Sequence, residues 1–171
     1  MIEPSKKFIS ETLLPNYPPK VPLIKANWSG LAFDRNFHSD LAPANVWDAL
    51  LSFEENSEVA VISFRDLEME ILPVLVRAGR ESLMAYLTHD FRFTADHYVF
   101  SQEQNWIFRL DQDVTLIAGE TKLIQQLVNC CDNGFESVMK IMSRDFYSGH
   151  NDECGLEQYL INLTRGIINS A

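Results

Sequence analysis

Asp96-His97-Tyr98-Val99-Phe100-Ser101-Gln102-Glu103-Gln104-Asn105-Trp106-Ile107-Phe108-Arg109-Leu110-Asp111-Gln112-Asp113-Val114-Thr115-Leu116-Ile117-Ala118-Gly119 decides the class of fold. Tyr98-Val99-Phe100 is apolar and ends at the turn-like Ser101–Gln104. In Asn105–Leu110, Trp106, Phe108 and Leu110 alternate with Asn105, Ile107 and Arg109, the period-2 pattern of a strand with one buried face. Asp111-Gln112-Asp113 suits a tight turn, because an Asp carboxylate bonds to backbone just beyond it. Val114, Leu116 and Ala118 then share a face. The connections leave no room for crossover helices, so residues 96–119 are expected to form an antiparallel meander. Its apolar set, Trp106, Phe108, Leu110, Val114 and Leu116, is expected to pack under the C-terminal helices.

Downstream, three segments have helical spacing. Leu123, Ile124, Leu127, Val128 and Cys131 share a stripe in 121–131. Phe135, Val138, Met139, Met142 and Phe146 do so in 135–147, and Leu156, Tyr159, Leu163 and Ile167 in 155–168. Asp132-Asn133-Gly134 ends the first and can cap the second. Upstream, Glu58–Phe64 reads as a short buried strand. Residues 43–53 read as a helix, with Val46, Leu50 and Phe53 on one stripe. Between them, residues 66–89 read as two short helices: Leu67, Ile71, Leu75 and Ala78 have helical spacing, Pro73 is a kink and Gly79 a break.

Six of the seven prolines fall in the first 43 residues, which forbids a long helix there. A short helix at about 5–13 is expected, followed over 15–40 by an extended arm that wraps the domain. Strands followed by runs of helices make the class α+β. The expected architecture is a single domain over residues 1–171. It holds an antiparallel sheet of three to five strands packed against C-terminal helices, with residues 1–40 as a proline-rich arm.

A chain of 171 residues, 46% hydrophobic and 22% charged, can bury a core without disulfide or metal staples. No apolar run approaches the ~20 residues of a membrane helix, and Met1–Phe8 is not followed by the apolar segment of a secretory signal. A cytoplasmic location is therefore expected. Cys130, Cys131 and Cys154 give no disulfide framework, and at least one of the adjacent pair is expected in the core. The net charge of −10 argues against phosphate backbones and anionic membranes as partners.

Chemical motifs are sparse. No phosphate-cradling glycine loop is present among seven glycines. His38, His89, His97 and His150 lack metal-ligand spacing, and no cofactor is expected. A cluster of His89, Asp90, Asp96 and His97 is conceivable, with polar residues at element ends as the commoner reading. Cys154 with His150 lacks the oriented base and oxyanion hole of a nucleophile.

Acid distribution says more. Glu54, Glu55, Glu58, Asp66, Glu68 and Glu70 stand against Arg65, and Asp96, Glu103, Asp111, Asp113 and Glu120 against Arg109. If strand 58–64 joins the meander, Glu54, Glu55, Glu58, Glu103, Asp111 and Asp113 can form a negative rim that binds a basic protein. A solvated rim without a partner is the plainer reading. Trp106 reads as core, since it belongs to the same alternating set as Phe108.

With its strand–turn–strand over Gln104-Asn105-Trp106-Ile107-Phe108-Arg109-Leu110-Asp111-Gln112-Asp113, the chain resembles the immunity proteins of bacterial toxin competition systems. These are small acidic α+β cytoplasmic proteins without catalytic motifs. The resemblance implies a non-enzymatic inhibitor that occludes a cognate toxin, often a basic nuclease. Two other readings stand beside it. One is a small-molecule-binding or enzymatic domain, with His89, His97 and nearby acids around a cavity. The other is a structural subunit or homodimer, marked by an exposed sheet edge or an apolar helix face.

Overall fold

A computed structural model describes residues 2–16, 19–34, 44–54, 57–112, 114–131, 134–147 and 155–168. The chain is α+β. Six strands form one sheet: β1 (Trp28–Asp34), β2 (Glu58–Ser63), β3 (Val74–Arg77), β4 (His97–Ser101), β5 (Trp106–Leu110) and β6 (Val114–Glu120). Their order is β1-β6-β5-β4-β2-β3, and each neighbouring pair is antiparallel. The meander is β4-β5-β6, as the turn spacing requires.

Register fixes the faces. Leu110 pairs with Thr115, Phe108 with Ile117 and Trp106 with Gly119. Val114, Leu116 and Ala118 therefore lie on the face of Ile107 and Arg109, opposite Trp106, Phe108 and Leu110, which corrects their expected common face. All five residues of β5 are buried, so the strand has two covered faces rather than one.

Helices supply both covers. On the Trp106 face lie α2 (Ala44–Ser52), α4 (Arg80–Thr88) and α5 (Thr121–Cys130), with α2 packed on the other two. A Cβ at Gly119 would stand 3.4 Å from Ile124 of α5, which marks how closely that helix approaches. On the Arg109 face lie α1 (Ile2–Thr12) and α7 (Leu156–Leu163). Phe8 of α1 meets Phe100 and Trp28 at ring-centroid distances of 5.5 and 6.1 Å. Gly30 lets α7 close on β1: a Cβ there would meet Leu163 Cδ1 and Ile117 O, each at 2.9 Å. Finally, α6 (Gly134–Tyr147) covers the β1 edge, where Ala32 N lies 3.3 Å from Met142 Sδ. An edge strand's outward donors need such a cover. Among the described residues, no helix is long and apolar enough to cross a membrane.

Besides the common face, two more expectations change, and together they take the sheet to six strands rather than three to five. Part of the expected arm, Trp28–Asp34, is the sheet strand β1, because its apolar residues alternate onto two covered faces. Residues 66–89 hold one short helix, a strand and a second helix. Ser63 Oγ accepts from Asp66 N at 3.0 Å and starts α3 (Phe64–Glu68). Left-handed Glu70 (φ 62°) and then Pro73 stop it, and β-branched Val74 and Val76 pair with β2 as β3. The expected second helix is present as α4. The adjacent cysteines divide, Cys130 exposed and Cys131 buried.

Candidate protein-interaction surface

The acids chosen from the sequence do not form one rim. Glu54 is half-buried, and its Oε1 accepts from Trp106 Nε1 at 2.8 Å. Glu58 is exposed at the start of β2, cross-strand from Arg77, and Glu103 is exposed in the β4–β5 turn. These three share one end of the sheet. Asp111 lies past the other end of five-residue β5, roughly 17 Å away. It is 2% exposed. Its Oδ1 accepts from Val114 N at 2.7 Å, closing the turn, and its Oδ2 lies 3.2 Å from Arg109 Nε. Arg109, itself 2% exposed, also donates from Nη1 to Asn16 O at 3.1 Å. Glu55 and Asp113 fall outside the described residues.

Above this buried pair sits Tyr159 of α7. Burial pushes its hydroxyl up to about 12, with the Arg109 guanidinium pulling down and the Asp111 carboxylate pushing up. The cluster ties α7 and the segment at Asn16 to the sheet. It is a structural bolt.

The histidines stand apart. His97 is buried, with Nδ1 2.8 Å from Ala95 O, while exposed His89 contacts Asp90 at 2.8 Å. No group of three metal-ligating side chains occurs among the described residues. His38, His150 and Cys154 lie outside them. Two cavities flank α1. One of about 520 Å³ is lined by Lys6, Ile9, Leu67 and Glu68, and one of about 390 Å³ by Pro4, Ala60, Leu72, Leu75 and Phe100. Neither is lined by His89 or His97.

What the periodicities did not disclose is the turn His89–Thr94 between α4 and β4. Asp90 (φ 53°) and Phe91 (φ 57°) are both left-handed. Asp tolerates this region, whereas a bulky aromatic there is an outlier. Phe91 is nevertheless 71% exposed. Local contacts hold the turn: Arg92 Nη1 donates to Tyr86 O at 3.1 Å, with the guanidinium 4.4 Å from the Tyr86 ring centroid. Thr94 Oγ1 donates to Phe91 O at 2.8 Å, and Ala95 N to Arg92 O at 3.0 Å. An aromatic side chain is thus held towards solvent on a fixed, strained backbone.

Further exposed apolar side chains gather at the β3 end of the sheet: Met69, Ile71 and Leu72 before the strand, and Val74 and Leu75 on its opposite faces. Comparison of the chain with protein-family models, with curated proteins and with solved structures finds no match in any of the three.

Proposed function

We propose that this chain is a non-enzymatic binding protein of the immunity type, which neutralises a cognate, basic protein toxin by covering its active site. The observation that carries the reading is Phe91. Left-handed backbone costs of order 1–3 kcal/mol at such a residue and persists where surrounding structure imposes it. Among the described residues the ring meets only Phe93, in a tilted contact with centroids 6.2 Å apart, and it stays 71% exposed, so burial offsets little of that cost. A pre-ordered aromatic anchor is what a partner's pocket would use. The net charge of −10, with Glu58 and Glu103 in solvent, supports steering of a basic partner.

The test is affinity capture from the native host with wild type and Phe91→Gly. Glycine adopts left-handed backbone freely. The variant is therefore expected to be about 1 kcal/mol more stable to urea and to bind the captured protein at least ~30-fold more weakly. The wild type is expected to abolish that protein's toxic activity at equimolar ratio, with an association rate that falls steeply with salt. Equal binding by Phe91→Gly would remove the anchor, and a salt-independent rate would remove the steering.

A further inference from the structure

We infer that the chain forms a two-fold symmetric dimer through β3, joining two six-stranded sheets into one. This is independent of the function proposed above and uses a different surface. Among the described residues, β3 is the terminal strand of the sheet and pairs only with β2. Ala78 N donates inward to Ser57 O at 2.9 Å. By the antiparallel alternation, Val74 and Val76 also point their backbone groups inward, so Leu75 and Arg77 point theirs away from the sheet. An outward row of N–H and C=O groups accepts an extended strand.

Three observations select a second copy as that strand. The first is self-complementarity. With Val76 on the axis, Leu75 of each copy faces Arg77 of the other, and both residues of each pair carry outward groups. Val74, Val76 and Ala78 then line one face against Ala78, Val76 and Val74, and no like charges stand directly opposite. The second is apolar exposure on both faces of the seam. Val74 pairs with Val61 and Leu75 with Ala60, so they stand on opposite faces of the sheet, and they are 46% and 49% exposed. Pairing two β3 strands sets apolar side chains against each other on both faces at once. The third is closure. Pro73 lacks an N–H, and Gly79 leads into α4, so pairing is confined to this short stretch. A two-fold contact of this kind ends at two copies.

Sedimentation of the full chain across the micromolar range is expected to show a reversible dimer of the 19.6 kDa protomer. Leu75→Arg sets arginines opposite each other and is expected to weaken association at least tenfold, with its circular dichroism unchanged. The exchange variant Leu75→Arg/Arg77→Leu, which carries the same two residues in swapped places, is expected to restore it. Should Leu75→Arg fail to fold, hydrogen exchange on the wild type decides: the Leu75 and Arg77 amides gain protection as concentration rises. A monomer at every concentration, an undiminished Leu75→Arg dimer, an exchange variant no tighter than the single one, or open-ended assembly would each overturn the proposal. So would protection of those amides only when a protein captured from the host is added, which would assign the edge to a foreign strand.

Discussion

Asp111 stands two residues beyond Arg109, where β5 ends and the turn to β6 begins, and its two oxygens do different work. One closes the turn through Val114 N, and the other neutralises a guanidinium from which water is excluded. Asp111→Ala leaves that guanidinium buried without its charge partner. The expected loss is about 3–5 kcal/mol, read from the urea midpoint. Asp111→Asn keeps an acceptor for the turn and is expected to lose less. A midpoint unchanged in both would show that the pair is hydrated rather than buried. Phe91 is the converse case. Its side chain is large and apolar yet exposed, and its backbone is held where glycine would be at ease. Neither property is written in residue type, because a strong turn former and a strong partner anchor read alike in a sequence.

At the scale of elements, the approach of α7 to β1 rests on one missing methyl group. Gly30→Ala is expected to cost about 1–3 kcal/mol, again from the urea midpoint. In the double variant Gly30→Ala/Leu163→Ala the two losses are expected to add to less than their sum, since the side-chain clash is gone, while the clash with Ile117 O remains because it is with backbone. A Gly30→Ala variant as stable as the wild type would show that the strands shift apart to accommodate the methyl. β3 is the element that periodicity misread. Leu67, Ile71, Leu75 and Ala78 do have helical spacing, but Glu70 and Pro73 divide them. A four-residue edge strand has too few alternations to compete with that pattern. α6 and β3 also treat the two sheet edges differently. Met142 covers the outward Ala32 N–H of β1, whereas β3 keeps Val74 and Leu75 in solvent.

For the whole molecule, the buried phenol couples stability to alkaline pH. Tyr159 titrates at about 12 in the fold against an ordinary value of 10.0. The native state therefore holds its proton where the unfolded chain releases it. Its contribution is complete below pH 10 and is lost as pH rises towards 12, about 3 kcal/mol in all. Tyr159→Phe is expected to flatten the stability profile across that window, as measured by urea melts at pH 9, 10 and 11 on the order of a unit apart. An unchanged slope would mean that the hydroxyl reaches solvent.

The amino-acid sequence by itself determined the α+β class, the β4-β5-β6 meander, the strand at β2 and the C-terminal helices. Each of these follows from local periodicity and turn chemistry, which neighbouring residues suffice to set. It also placed Trp106 in the core through its alternation with Phe108. Only the tertiary structure decided that Val114 and Leu116 lie opposite Trp106, because the Leu110–Thr115 register depends on how tightly one turn closes. Only the tertiary structure brought Trp28–Asp34 to β6 across more than eighty residues, buried Asp111 while leaving Glu58 and Glu103 in solvent, and turned β3 outward. Burial, pairing and exposure are properties of what arrives from elsewhere in the chain. No window along the sequence contains the partner that confers them.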